Sequence, residues 1–248
     1  MTAQIVQIWR HPIKSHGREA LTRIAVMAHA ALPWDRTWAV AHEAARLEGD
    51  GWHPCANFSR VSKAPALMAI TAKFDEASEI ITLSHPDRPT LVAHPETDCE
   101  ALLDWVKPLM PTNRAASSRV VRLSKRGFTD TDFPSISIGN LASLRALEGR
   151  IGRPLTEHRW RTNLWIDGLA PWEERDWIGK TIKIGGLTMA VRENVIRCLA
   201  TTTNPLNGQR DTDTLALLNE TVAAPEFCIY AEALTSGEIA IGDEIKVS

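Results

Sequence analysis

The chain has 248 residues, of which 44% are hydrophobic and 23% charged, and a formal net charge of −2. That is the make-up of an ordinary globular protein long enough to bury a core. The small net charge excludes a general attraction for nucleic acid or an anionic membrane, so any anion site must come from a local basic cluster. No apolar run approaches the roughly 18 residues of a membrane-spanning helix. MTAQIVQIWRHPIK lacks the apolar length and the small-residue cleavage site of a secretory leader, so a cytoplasmic location is expected.

Along the chain, strands dominate. QIVQIW, TWAVAH, ALMAITAKF and EIITLS are short apolar or alternating runs separated by turn residues, the pattern of a β-rich domain or barrel. A helix is predicted over 97–107, where Leu102, Leu103, Val106 and Leu109 form a stripe at helical spacing. KPLMPTNRAASSR then breaks regularity, which sets a boundary near 110–118 and divides the chain into 1–115 and 116–248. The second part opens with the strand RVVRLS and the loop GFTDTDFPS. SISIGNLASLRALEGRIG reads as a strand followed by a helix, with Asn140 as N-cap and Leu141, Leu144 and Leu147 facing inward. TIKIGGLTMAV and IAIGDEIKV supply further barrel strands, which makes the fold class β-rich α+β.

HRWRTNLWIDG, residues 158–168, carries the clearest chemical pattern. Read as extended, it places Trp160, Thr162, Leu164 and Ile166 on one face and Arg159, Arg161 and Asn163 on the other. Two guanidiniums and an amide with no acid between them make a prearranged oxyanion clamp; the alternative for this segment alone is a solvated outer face. Cations recur in two other turns, where Lys14 and Ser15 follow Pro12 and where Arg36 opens a strand.

Cys55, Cys99, Cys198 and Cys228 stand far apart with no CxxC pair, which excludes a local zinc knuckle and offers no disulfide scaffold. Cys99 and Cys228 read as packing residues of a helix and a strand, and Cys55 as a loop residue beside His53. Cys198, in VIRCLATTTNPLNG, alone joins a cationic neighbour, a strand-to-turn setting and polar surroundings. All three favour thiolate.

Taken in order, these motifs resemble those of the MOSC family (molybdenum cofactor sulfurase C-terminal domain). The branch in question carries an N-terminal β-barrel domain and contains the mitochondrial amidoxime-reducing component and its bacterial relatives. HPIKS resembles the family's YPVKS, WDRTWAV its DR.W.V, RWRTNLWIDG its RFRPN.V..G and IRCLATTTNPLNG its RC..TTVDP.TG, while GFTDTDFPSISIGNLASLRAL matches its loop, strand and SxxSL helix. The resemblance covers nearly the whole chain. It implies a MOSC-type β-barrel domain after a smaller N-terminal barrel-like domain, both contributing to a molybdenum cofactor site.

The same resemblance implies that Cys198 coordinates molybdenum, with Arg197 beside it helping to hold the thiolate. Lys14, Ser15, Arg36, Ser143, Arg161 and Asn163 match cofactor-contacting positions, and Arg159 joins them from the shared strand face. Ser143 would sit in the first turn of its helix, where free amides favour a phosphate. A pterin bearing a dithiolene and a phosphate is strongly anionic, and its metal is soft enough to take a thiolate. A family-level association with pyridoxal phosphate binding is implied as well. Two departures stand out: Thr162 replaces the family's proline, and GDGWHPCANFSRVSKAPAL replaces a T.R..P.L stretch, which places His53, Cys55 and Arg60 where a substrate would approach.

The activity implied is reduction of N-hydroxylated compounds (amidoximes, hydroxylamines or N-hydroxylated bases) by a molybdenum-dependent oxidoreductase. The chain has no cysteine cluster for iron and sulfur and ends at IKVS, so electrons are expected from a separate ferredoxin or flavin reductase. The competing reading is a carrier of molybdenum cofactor, or of a persulfide on Cys198, without turnover of its own. A thiol hydrolase is disfavoured because no histidine lies near Cys198 in sequence.

Overall fold

The fold is described from a computed structural model covering residues 3–124 and 126–248. The first half contributes strands β1 (Gln4–Arg10), β2 (Glu19–Leu21), β3 (Arg23–Val26), β4 (Trp38–His42), β5 (Thr71–Asp75), β6 (Ile80–His85) and β7 (Arg88–Ala93), followed by helix α1 (Cys99–Val106). Next come β8 (Ser117–Arg122), β9 (Ile136–Asn140), α2 (Leu141–Ile151) and β10 (Leu164–Asp167). The chain continues through β11 (Thr181–Ile184), β12 (Leu187–Ile196), α3 (Thr214–Val222), β13 (Glu226–Ala233), β14 (Gly237–Ala240) and β15 (Ile245–Val247).

Eight strands form one sheet in the order β15-β11-β12-β13-β9-β10-β1-β2, with β9 and β10 its parallel pair. The sheet closes where the start of β1 meets the approach to β15: Gln4 bridges Glu244, and Ile245 N donates to the Ala3 carbonyl at 2.8 Å. Period-two alternation turns Ile182 and Ile184 of β11 inward and leaves Thr181 and Lys183 outside. Ile5, Ile138, Ile166, Met189 and Ile229 meet them in the barrel interior. Burying each such side chain contributes about 1.5–3 kcal/mol.

A second core fills the space between the β5-β6-β7 meander, the β4–β8 pair and α1, around Trp38, Leu67, Met68, Leu83 and Leu102. The first residues of the chain therefore build the large barrel, and β8 completes the smaller unit by pairing with β4. The boundary expected near 110–118 cuts through that pairing. Prolines and small polar residues there mark a surface turn between α1 and β8, not a break between packing units.

Two expected strands change character. In ALMAITAKF, Pro65 opens a 3-10 turn over Pro65–Ala69 and only Thr71–Asp75 is extended. In HRWRTNLWIDG, Glu157–Trp160 is a 3-10 turn, Arg161 is left-handed at φ 50°, and the strand begins at Leu164. The two-faced alternation thus fails for Arg159 to Asn163. α2 is as expected: the Asn140 side chain accepts from Ala142 N, and Gly152 ends the helix at φ 68°.

Candidate functional site

A cavity of about 240 Å³ opens between the two cores. Lys14, Arg36, Arg60, Arg159, Arg161 and Arg197 line it against, among the described residues, a single carboxylate, Asp130, and Cys55 and Cys198 line it too. Ser15 completes the predicted set that reaches this wall. In a protein of net charge −2, that concentration of cations is the local basic cluster the composition requires.

Lys14 and Ser15 arrive on the turn after β1, held by Lys14 N donating to the Trp38 carbonyl at 2.7 Å. The Lys14 ammonium donates to the Phe128 carbonyl at 2.7 Å and pairs with Asp130 at 2.6 Å. Arg36 sits one residue before the strand approach, ion-paired with buried Asp35 and donating to the Arg161 carbonyl at 2.8 Å. Asp130 and Asp35 are functional neighbours that motif reading missed, since a lone aspartate in a turn carries no spacing signal. Gly127, at φ 66°, lets the next segment close on this turn: a Cβ there would collide with the Asp35 carbonyl oxygen.

Ser15, Arg36 and Arg161 all adopt left-handed backbone, at φ 66°, 53° and 50°. Such a conformation costs an L-residue of order 1–2 kcal/mol. Three of them on one cavity wall show that the surrounding structure fixes where these side chains point.

The arginines do different work. Arg159 is 2% exposed and donates to the carbonyls of Thr201 and Thr203 while pairing with Asp211 at 3.0 Å, so it braces the loop that follows Cys198. Arg197 turns back from the thiol, donating at 2.8 Å to the Phe227 carbonyl and at 2.8 Å to the Trp160 carbonyl. The thiolate-holding contact expected of Arg197 is therefore absent; its guanidinium ties β13 to the 3-10 turn instead. Arg161 donates to the Gly17 carbonyl at 3.2 Å, yet its Nη1 is buried with no partner among the described residues. Burial, with repulsion from Arg36 and Arg18, pulls the Arg161 pKa down to about 9. A guanidinium so placed is a receptor for an anion.

Cys198 follows β12 and caps the 3-10 turn Leu199–Thr202, with its thiol exposed. Thr201 fixes that turn: its N and Oγ1 both donate to the Cys198 carbonyl at 3.1 Å. A hydroxyl–hydroxyl bond of 2.6 Å then anchors Thr201 to Thr214 in α3, a helix that sequence periodicity did not reveal. Cys228 is buried against Thr162 at 3.3 Å and Cys99 starts α1, as their packing roles require. His53 stays outside the wall, whereas Cys55 and Arg60 share it, with Arg60 Nη1 3.0 Å from the Cys55 sulfur.

Asn163 and Ser143 stand apart from the cavity wall. Asn163 lies behind it, accepting from Ser137 N at 3.1 Å and Ser137 Oγ at 2.9 Å and approaching Arg36 at 3.5 Å. It positions the clamp without lining the cavity. Ser143 corrects the expectation of a cofactor contact: it is fully buried, donates to the Glu174 carboxylate at 2.8 Å and accepts from Trp172 N at 2.8 Å. Burial pushes the Glu174 carboxyl above its ordinary range, and Asn140 and Ser143 supply the donors that oppose this. Ser143→Ala should cost about 1–3 kcal/mol by stripping a buried carboxylate of a donor. Denaturant unfolding checks that loss, and cofactor content should not change.

Two buried histidines flank the same wall. His16 is fully buried and donates from Nδ1 to the Lys14 carbonyl at 2.7 Å; burial takes its pKa down to about 4. His11 is lowered too, by burial and by Arg161 and Arg36. Both stay neutral in the fold and take up protons on unfolding below about pH 6.5. Stability is thus fully present above pH 6.5 and declines as pH falls towards 4, before most carboxylates titrate. Calorimetric Tm should drop steadily across that window; a flat profile contradicts the buried-neutral assignment.

The fold and the wall define a closed β-barrel protein with an anion-receiving cavity and a free thiol at its edge. The MOSC domain model matches residues 128–246, and the model of the MOSC N-terminal beta barrel domain matches residues 2–132. The chain belongs to the MOSC family, which often binds molybdenum cofactor and is associated with cofactor sulfurases and oxidoreductases. The two matches meet just past β8, where the pairing with β4 ends. Comparison with curated proteins found no match. Among solved structures, the YuaD protein from Bacillus subtilis is similar at 13% identity and a TM-score of 0.48, covering 100% of this chain and 96% of its own. YiiM from Geobacillus stearothermophilus is similar at 19% identity and a TM-score of 0.35, covering 46% of this chain and 53% of its own. Among the described residues no helix is long and apolar enough to cross a membrane. Pyridoxal phosphate gains no support from this wall, whose lysine, Lys14, is committed to Asp130 and Phe128.

Proposed function

We propose that the protein is a molybdenum cofactor-dependent reductase of N-hydroxylated compounds, acting in the cytoplasm with electrons from a separate donor protein. The observation that carries this reading is the pairing, on one wall, of an exposed thiol with a guanidinium whose Nη1 is buried and unpartnered. These residues fit an anionic pterin dithiolene. Arg161 and Arg36 would hold its anionic end, Ser15 and the remaining N–H of Lys14 would add donors, Asn163 supports Arg36, and Arg159 braces the loop after Cys198. Cys198 would be the protein ligand of the metal, a soft sulfur for a soft ion. When bound, the molybdenum centre supplies the two-electron chemistry that takes oxygen from an N–O bond.

The chain's own contribution is to present the thiol on a turn fixed by Thr201 and to leave the opening free on the side of Cys55 and Arg60. Arg60 has no carboxylate partner among the described residues, so it can donate to the N-hydroxyl oxygen of an incoming substrate. The test is reduction of benzamidoxime by purified, cofactor-loaded protein with an artificial electron donor. Turnover supports the reductase. Bound cofactor without turnover replaces it with the carrier.

A further inference from the structure

The loop from Thr203 to Arg210 leaves the barrel just after the Cys198 turn and lies against the smaller core. A bridge between Thr203 and Arg210 forms its stem. Asn204 closes it, donating from N to the Gln209 carbonyl at 2.7 Å and accepting at its own carbonyl from Gly208 N at 2.9 Å. Three separate contacts seat the loop. Gly208, buried at φ 70°, comes so close to Ala66 that a Cβ there would collide with the Ala66 backbone. Arg18 donates from Nη2 to the Pro205 carbonyl at 3.4 Å, while its Nη1 donates to the Met68 and Ile70 carbonyls at 3.0 and 3.2 Å. Arg210 donates from Nη2 to the Ser62 carbonyl at 2.9 Å.

Arg210 also reaches the other way, its Nη1 donating at 2.6 Å to both the Leu199 carbonyl and the Thr202 hydroxyl. One exposed guanidinium therefore spans two edges of the cavity. One edge is the turn that Cys198 caps, which lines the cavity with Cys198, Ala200 and Thr201. The other is the turn that Arg60 opens, where Lys63 N and Ala64 N both donate to the Arg60 carbonyl at 2.9 Å and Arg60, Val61 and Ser62 line the cavity. Among the described residues Arg210 forms no ion pair, and adjacent Asp211 pairs instead with Arg159 and Arg153. All three Arg210 bonds go to neutral acceptors, an arrangement that a planar fork of donors satisfies and a single ammonium satisfies only in part. A cation serving solubility alone would leave its N–H groups to water.

We infer that Arg210 is a positioning residue that sets Arg60 at a fixed separation from Cys198. The inference deepens the reductase reading above and rests on it. In that reading Arg60 donates to the N-hydroxyl oxygen and Cys198 marks where the metal stands. The span between the two turns then decides whether the N–O bond arrives at the metal. A misplacement of about 1 Å can cost about 100-fold in rate, even when its cause lies away from the chemistry. Arg210 touches neither substrate nor cofactor; it acts through the backbone of the turn that carries Arg60.

The test compares cofactor-loaded wild type with Arg210→Ala, Arg210→Lys, Arg60→Ala and the double variant of Arg60→Ala and Arg210→Ala. Molybdenum and pterin content should be unchanged in Arg210→Ala. With dithionite and methyl viologen as reductant, its kcat/KM for benzamidoxime should fall by at least about tenfold, mainly through KM. Arg210→Lys should recover part of that loss. The double variant should be no worse than Arg60→Ala alone, because one residue acts through the other. Hydrogen exchange reads the same coupling without turnover: in Arg210→Ala the amides of 61–64 and of 199–203 should both exchange faster, while β9 and β13 stay protected. Unchanged kcat/KM in Arg210→Ala or in Arg60→Ala, losses that add in the double variant, or faster exchange confined to 199–203 overturns the inference. So does loss of cofactor from Arg210→Ala, which would make the loop a brace for the fold. If viologen-driven reduction is itself missing in the wild type, the functional reading fails, and the exchange data still decide whether Arg210 couples the two turns.

Discussion

Cys198→Ser should abolish reduction of N-hydroxylated compounds while leaving the protein folded and most of its pterin in place. Among the described residues the exposed thiol makes no hydrogen bond that packing relies on; the Cys198 carbonyl, which Thr201 engages, is unchanged by the substitution. Serine is nearly isosteric, but its oxygen is harder and its proton far less acidic, so it is a poor ligand for a soft metal. Loss of an outer partner of a metal site costs about 10–100-fold, and loss of a ligand atom should exceed that. Cys99→Ser, at the start of α1 and away from the cavity, is the control that should keep activity. Wild-type turnover in Cys198→Ser would remove the thiol from the site.

Arg161→Glu should give a folded protein with little bound pterin. The guanidinium has one carbonyl partner, an unpartnered buried Nη1 and a pKa pulled down to about 9 by burial and by neighbouring arginines. In the free protein, removing it relieves repulsion from Arg36 and Arg18, so the fold should tolerate its loss. In the loaded protein, a carboxylate there would face the ligand's own negative charge, at a cost of about 3–5 kcal/mol for an uncompensated buried charge. Pterin content, read by fluorescence of the oxidised cofactor, should fall sharply, whereas Arg161→Lys should retain part of it. Unchanged content in Arg161→Glu would show that this side chain does not hold the cofactor.

Much of this architecture is legible in the chain itself. Short alternating runs such as TIKI become barrel strands because one face must be buried, and Asn140 caps α2 because its side chain meets an orphan amide. Of the wall's cations, Arg159 and Arg161 are marked by their own spacing, while Lys14, Arg36 and Arg197 are named only through the motifs that resemble the family's. What could not be read is how they converge. Arg159 and Arg161 appear as neighbours on a strand face, yet a 3-10 turn and a left-handed residue send one to brace the Thr201 loop and the other into the cavity. Arg197 stands beside Cys198 in sequence and turns away from it in space, because its donors are taken by the carbonyls of Phe227 and Trp160. Ser143 looks like an anion site at a helix start until Glu174, thirty-one positions on, occupies its hydroxyl. Each of these outcomes depends on a partner distant in sequence, which local spacing does not encode.

The most direct test of the cavity's assignment is molybdenum and pterin analysis of protein produced in a molybdenum-replete host, alongside Cys198→Ser and Arg161→Glu. That assignment predicts molybdenum and pterin in equal amounts in the wild type, both largely retained but without turnover in Cys198→Ser, and little of either in Arg161→Glu. A wild-type protein that carries no molybdenum even after loading with cofactor would contradict it.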